Sequence, residues 1–175
     1  VGTDLVFWID ADGPKGEGDY AEAGTISLAG QGGITEGTIG YRTGGKESGT
    51  IDSLKVTGGD GTVLYSSNFD SDDKVFNGLS VSGGKLQVPV SKFSVYNGDV
   101  TVPYFNWLDY TVEQTIQTEN NIYTLFRFAE GKEAAYMYKI NPVDNTMAFL
   151  QRANSGSAPA HIADITLPED AKLSE

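Results

Sequence analysis

The stretch Gly40–Asp70, GYRTGGKESGTIDSLKVTGGDGTVLYSSNFD, decides the fold prediction for this chain. It holds two strand-like runs, Thr50–Val56 and Val63–Asp70, with the segment Gly58–Gly61 between them. A short link rich in glycine and aspartate between two such runs is a signal for a β-hairpin. The centre of the chain therefore predicts antiparallel β-structure.

Outside this stretch, short apolar runs alternate with turn residues along nearly the whole chain. In Tyr110–Ile116, apolar or amide residues alternate with Thr and Glu, which is typical of a half-buried strand. Only Pro168–Leu173 has the composition of a helical turn. The other predicted strands are Asp4–Ile9, Thr25–Ala29, Thr38–Arg42, Lys85–Val90, Ile122–Phe128, Ala134–Ile140 and Met147–Arg152. We therefore predict an all-β protein built from antiparallel strands.

Composition narrows the classes of partner. The 175 residues carry a net charge of −12, which argues against binding to nucleic acid or to anionic membranes. There is no cysteine, which excludes disulfides and thiol chemistry, and no apolar run long enough to insert into a membrane. Such an acidic surface suits a well-solvated protein outside the cell. The lack of cysteine fits the cytoplasm as well as a bacterial exterior, so composition alone does not choose the compartment.

Nine short motifs can be placed in a known family. Six run from the centre to the end of the chain: Leu64–Phe69, Gly83–Leu86, Tyr104–Trp107, Asp109–Glu113, Phe126–Arg127 and Tyr136–Pro142. Three more stand before them: Leu5–Asp10, Gly37–Gly44 and Ile51–Val56. With these motifs the chain resembles the laminin-G-like, or concanavalin A-like, jelly-roll domains of bacterial secreted proteins. That resemblance implies a two-sheet antiparallel jelly-roll sandwich and an extracellular or cell-surface location.

The order of the motifs is rotated relative to the family. Residues 1–67 resemble the closing half of a sandwich, 68–73 a joint or hinge, and 74–175 the opening half. Three possibilities stay open: a circular permutation, a cut across two tandem domains, or a subunit whose halves are completed by a neighbouring copy. A strand that usually precedes the Leu5–Asp10 motif has no clear match. Its absence would leave a sheet edge open to strand addition.

The resemblance and the aromatic content together suggest carbohydrate binding. Sugars are recognised by aromatic faces and by a few planar polar groups. The predicted ligand-binding residues are Arg127, Tyr136, Tyr138, Arg152, Trp107, Tyr104 and Arg42. In the alternative interpretation the tyrosines fill the core and the arginines pair with acids. Trp8, in a dense apolar run, is expected to lie in the core.

Signs of catalysis are weak in this sequence. His161 is the only histidine, and Glu113 is the best candidate for a catalytic carboxylate, although no acid lies near it at strand spacing. The resemblance also implies a structural calcium ion, for which Asp52 and Asp70 are the candidate ligands. In the alternative interpretation, these aspartates belong to solvated acidic turns.

These observations lead to a ranked set of functions. The first is a non-catalytic carbohydrate-binding domain of a secreted or cell-surface bacterial protein, with a polysaccharide or glycan as partner. The second is a structural subunit or adhesive repeat that assembles with other copies of itself, by domain swapping or strand addition, into a filament or tandem array. The third is a lectin-fold glycosidase.

Overall fold

Alternating apolar and polar residues form strands throughout the part of the chain that the structure describes. A computed structural model describes residues 4–9, 21–28, 34–43, 47–71, 76, 78–90, 93–95, 107–119, 121–129, 134–153 and 157–167. Their strands are β1 Asp4–Ile9, β2 Ala21–Ser27, β3 Thr38–Arg42, β4 Gly49–Gly58, β5 Val63–Ser67, β6 Ser80–Ser82, β7 Lys85–Val88, β8 Phe93–Val95, β9 Tyr110–Gln117, β10 Ile122–Ala129, β11 Ala134–Asn141, β12 Thr146–Arg152 and β13 Ala160–Thr166. The prediction of an all-β protein with antiparallel sheets is confirmed.

Two predicted strands have different bounds in the structure. β7 ends at Val88 because Pro89 has no backbone N–H to donate to a neighbouring strand. β2 runs from Ala21 to Ser27, whereas the predicted strand began at Thr25. The predicted helical turn at 168–173 lies outside the described residues. Within those residues, no helix is long and apolar enough to cross a lipid bilayer.

The larger sheet has six strands in the order β13-β12-β11-β10-β3-β8, and every neighbouring pair is antiparallel. β3, from the first third of the chain, lies between β10 and β8. Two β-bulges interrupt the pairing of β10 with its neighbours near Arg127, whose φ is 50°. This local distortion changes the direction of the Arg127 side chain, which was predicted to bind ligand.

The second sheet is built around β4. β9 pairs with β4 on one side, while β5 and β7 pair with it on the other, and β6 pairs with β7. The predicted hairpin is present: the Gly58 amide donates to the Thr62 carbonyl at 2.8 Å, and Gly61 adopts a φ of 85°. Asp60 accepts a hydrogen bond from the Thr62 amide at 2.9 Å, which fixes the turn.

Strands from the two halves of the rotated motif order pair with each other in one chain. β3 pairs with β10, and β4 pairs with β9 along almost its full length. In the predicted joint, Phe69 is fully buried in the core, and its amide donates to the Ser67 hydroxyl at 3.0 Å. Asp72 and Asp73, at the end of that joint, lie outside the described residues.

Apolar side chains from both sheets form the main core. β4 contributes Ile51, Leu54 and Val56, all buried, and burying each aliphatic side chain of this size stabilises the fold by about 1.5–3 kcal/mol. Phe126, Tyr136 and Phe149 stack across the inner face of the six-stranded sheet, with ring centroids 5.7–6.0 Å apart. A second, smaller cluster of Leu125, Phe128, Ala135 and Met137 lies on the outer face of the same sheet.

The hairpin of β1 and β2 forms a separate two-stranded sheet that packs on the inner face of the six-stranded sheet. The Phe7 ring meets Tyr138 and Phe149 edge-on, with centroids 5.8 and 6.0 Å away. Trp8 points the other way and is 53% exposed, so the expectation that it lies in the core is wrong. Successive side chains of a strand point to opposite faces, and here Phe7 takes the inner one.

Candidate functional site

The two tyrosines predicted to bind ligand lie on the inner face of the six-stranded sheet. Tyr136 is 1% exposed and stacks between core aromatic rings, so it offers no face to a ligand. Tyr138 packs against Phe7 and accepts a hydrogen bond from the Gln114 amide. Their positions fit the alternative interpretation, in which the tyrosines fill the core.

Gln114 organises a polar network inside the sandwich. It occupies an inward position of β9, where its Oε1 accepts a hydrogen bond from the Tyr41 hydroxyl at 2.9 Å. Its Nε2 donates to the Thr124 hydroxyl at 3.0 Å and to the Tyr138 hydroxyl. Burial raises the pKa of Tyr138 to about 12 and raises that of Tyr41 well above its ordinary value. Both hydroxyls therefore stay protonated at neutral pH, and the network joins the two sheets.

Arg127 connects loops rather than facing solvent. Arg127 is buried, and its guanidinium donates to the carbonyls of Ile34 at 3.4 Å and Leu108 at 3.3 Å. The same group lies 3.8 Å from an Asp109 carboxylate oxygen. Its backbone amide donates to the Tyr110 hydroxyl at 2.7 Å. The left-handed backbone and the adjacent bulges aim this side chain at the two loops. Arg127 thus has a structural role in the fold.

Trp107, another predicted ligand-binding residue, is also buried. It is 7% exposed and packs against Tyr110 with centroids 5.5 Å apart, while its carbonyl accepts from the Gly37 amide at 3.2 Å. Tyr104, predicted on the same turn, lies outside the described residues.

The outer face of the six-stranded sheet gathers a different aromatic and basic set. Tyr123 on β10 is in register with Arg42 on β3 and with Lys139 on β11. The Arg42 guanidinium carbon lies 5.8 Å from the centroid of the Tyr123 ring, and the Lys139 ammonium nitrogen lies 5.9 Å from it. All three side chains are half-buried. We call these residues, with Asn121 and Glu47 beside them, the Tyr123 cluster.

Polar groups complete this cluster. The Asn121 amide nitrogen donates to a Glu47 carboxylate oxygen at 3.5 Å, while its Oδ1 is buried and has no hydrogen-bond partner. Desolvation raises the pKa of Tyr123, the Glu47 charge raises it further, and the Arg42 charge opposes both. The cluster therefore offers two cationic donors and one aromatic ring.

The three predicted arginines lie in two environments: Arg127 is buried, whereas Arg42 and Arg152 are on a face of the six-stranded sheet. Arg152 pairs in register with Ala135, so it shares the outer face with Arg42 and lies opposite Tyr136 and Tyr138. The sequence prediction singled out Arg42 but missed Tyr123 and Lys139. They come together only through the register of three strands that are distant in sequence, and no local motif carries that information.

Each predicted calcium ligand has a protein partner. Asp52 lies 3.5 Å from the Lys85 ammonium, and Asp70 accepts a hydrogen bond from the Asn68 amide at 2.5 Å. Among the described residues, no three acidic, histidine or cysteine side chains converge as a metal site would require. Calcium binding at Asp52 or Asp70 stays a prediction.

The groups considered for catalysis lie on exposed surfaces. Glu113 forms an ion pair with Lys55 at 3.3 Å on the outer side of the second sheet. The His161 ring nitrogen lies 2.8 Å from an Asp164 carboxylate oxygen on β13. The Glu113 carboxylate is thus paired with Lys55, and the His161 ring is paired with Asp164.

A polar depression of about 260 Å³ lies at one end of the second sheet. Gln87 and Gln117 flank Thr50 in register, and the Thr50 hydroxyl is buried without a hydrogen-bond partner. Thr118 and Glu119 complete one side. This depression has hydrogen-bonding groups but no aromatic ring among its lining residues, so it is a weaker sugar site than the Tyr123 cluster.

Comparisons with known proteins give no match for this chain: no family model, no curated protein and no solved structure. The fold can therefore be stated as an all-β sandwich of antiparallel sheets.

Proposed function

We propose that this protein is a non-catalytic, extracellular glycan-binding domain of laminin-G-like jelly-roll type that holds its ligand at the Tyr123 cluster. The observation that carries the proposal is the half-buried Tyr123 ring, in register with Arg42 and Lys139 on one sheet face. Of the residues predicted from the sequence to bind ligand, only Arg42 belongs to this cluster.

The chemistry of the cluster suits a sugar. A pyranose ring can lie against the Tyr123 edge or face, and its hydroxyl or carboxylate oxygens can accept from Arg42 and Lys139. One aromatic contact of about 0.5–1.5 kcal/mol and two charge-assisted hydrogen bonds of about 1.5–3 kcal/mol each contribute about 3.5–7.5 kcal/mol before the cost of association. We therefore expect binding no tighter than micromolar.

Charge pairing in an acidic protein is the alternative role for these cations. Lys55 and Lys85 behave in that way, since each lies within 3.5 Å of a carboxylate. Among the described residues, neither Arg42 nor Lys139 forms such an ion pair. In a chain with 24 acidic and 12 basic residues, two cations directed at a tyrosine instead of at an acid favour a ligand role.

A glycan array followed by affinity electrophoresis tests the proposal. We expect Arg42→Gln and Tyr123→Ala each to weaken binding to the best array ligand by about tenfold or more. Lys55→Gln is the matched control, because it removes an exposed cation from the other sheet, and it should leave binding unchanged. Unaltered binding in both Arg42→Gln and Lys139→Gln would count against the site.

The structural-subunit function has one observation in its favour. Among the described strands, β1 pairs only with β2 and β9 pairs only with β4, so each has a second edge without a ladder partner. Unpaired edges can accept a strand from another copy. Native mass spectrometry over a wide concentration range tests this alternative: it predicts oligomers that grow with concentration, whereas a uniform monomer argues against it.

A further inference from the structure

The β1–β2 hairpin has an exposed aromatic surface that is separate from the Tyr123 cluster. On β1, Leu5 and Phe7 pack on the core, while Val6 and Trp8 are 47% and 53% exposed. An exposed tryptophan on a sheet face is a large apolar area that the fold itself leaves open to water. Because Phe7 is anchored between core aromatic rings, the strand that carries Trp8 has a firm base.

A β-bulge determines which polar group stands beside Trp8. Phe7 pairs with Gly24, but the next residue, Trp8, pairs with Glu22, so Ala23 is the extra residue on β2. With regular pairing, Ala23 would stand opposite Trp8 and Glu22 would turn toward the core. The bulge instead places Glu22 on the exposed face, directly across from Trp8. This change of register places the Glu22 carboxylate and the Trp8 ring side by side on one face of the hairpin.

The Glu22 carboxylate is held in place by its own strand. Its Oε1 accepts a hydrogen bond from the Thr25 hydroxyl at 3.1 Å. Thr25 in turn pairs in register with Val6, so the four side chains form one continuous patch. We call Val6, Trp8, Glu22 and Thr25 the Trp8 platform. The carboxylate keeps further lone pairs that can accept hydrogen bonds from hydroxyl groups.

Charge selects among the molecules that could cover this platform. Asp4 and Glu22 are both exposed on the hairpin, and neither β1 nor β2 contains a lysine or arginine. An anionic ligand would be repelled and would find no cationic donor on either strand. A neutral, hydroxyl-rich ring matches the platform, because it gives C–H surface to Trp8 and hydroxyl donors to Glu22.

We propose that the Trp8 platform is a second carbohydrate-binding site, specific for uncharged pyranose rings. It is independent of the Tyr123 cluster. The hairpin covers the inner face of the six-stranded sheet, whereas Tyr123 lies on the outer face, so the two sites face opposite sides of the sandwich.

Tryptophan fluorescence gives a direct test, because the chain has only two tryptophans and Trp107 is buried. The probes are neutral hexasaccharides of glucose, mannose, galactose and xylose, with a uronic-acid hexasaccharide as the charged comparison. We expect at least one neutral probe at millimolar concentration to reduce acrylamide quenching about twofold or more. Trp8→Ala should abolish that protection, and Glu22→Gln should weaken it about five- to tenfold.

Two control variants show whether the protection belongs to the Trp8 platform alone. Val63→Ala removes a side chain that is also 53% exposed, on β5, and should leave the titration unchanged. Arg42→Gln should also leave it unchanged, so failure at one site is distinguishable from failure at the other. All variants change exposed or half-buried side chains, and their folding is checked by circular dichroism.

Three results would overturn the proposal. Failure of every neutral probe to protect Trp8 would remove the site, and so would protection that persists in Trp8→Ala. Equal protection by the uronic-acid probe would contradict the charge argument. Protection that rises with protein concentration in the absence of sugar would show that a second copy covers the platform instead.

Discussion

Replacement of Gln114 by leucine tests the polar network that joins the two sheets. Leucine has a similar size but leaves the buried Tyr41 hydroxyl without its acceptor, which lies 2.9 Å away in the native protein. A buried group that loses its only partner costs about 1–3 kcal/mol, and the bonds to Thr124 and Tyr138 are lost as well. We expect the free energy of unfolding to fall by about 2–4 kcal/mol, and Tm by roughly 5–15 °C.

The informative measurement is a double-mutant cycle with Tyr41→Phe, followed by urea unfolding. Phenylalanine removes the hydroxyl that Gln114→Leu leaves unpaired. The double variant should therefore be less destabilised than the sum of the two single variants, by about 1–2 kcal/mol. As a control, Gln114→Leu with Val143→Ala, in the exposed turn after β11, should be additive within about 0.5 kcal/mol. Additivity between Gln114 and Tyr41 would refute the network.

Three further predictions address the pH response, the hairpin and calcium. Tyr138 has a pKa of about 12 in the folded protein, above its ordinary value of 10, so the unfolded chain loses this proton first as the pH rises. The Tyr138 hydroxyl should therefore leave the free energy of unfolding unchanged below pH 10 and lower it between pH 10 and 12. Urea unfolding midpoints measured across this pH range test the prediction. Phe7→Ala should lower the free energy of unfolding by about 2–4 kcal/mol, whereas Trp8→Ala should change it by less than about 0.5 kcal/mol. Equal effects of the two substitutions in thermal melts would contradict the opposite orientation of these neighbouring side chains. If calcium binds at Asp52 or Asp70, a chelator should lower Tm and added calcium should restore it, and an unchanged melting curve would dismiss the ion.

Alternation and turn chemistry predicted the strands well. The run Tyr110–Ile116 became β9 with one additional residue, and the Gly58–Gly61 link became a hairpin turn. These features are local, because they depend on the two-residue period of a strand and on the positive φ that Gly61 can adopt. Local signals of this kind can be read without knowledge of the rest of the fold.

The proposed binding face could not be predicted in the same way, because it depends on register and bulges. The run Asp4–Ile9 is apolar on both faces, so its periodicity does not show that Trp8 faces solvent. A bulge turns Arg127 inward, although its sequence neighbours suggested a place on a binding face. Tyr123 and Lys139 gain their significance only when β10 lies beside β11 and β3.

The position of β3 and β4 also constrains how the chain can fold during synthesis. β4 can pair with β5 as soon as the hairpin leaves the ribosome, but its other edge must wait for β9. β3 likewise waits for β10. Until Tyr110–Ala129 has been made, both strands expose backbone edges and apolar side chains, a condition that favours aggregation. We expect the nascent protein to depend on slow translation or on chaperones, and truncation before β9 to yield an insoluble product.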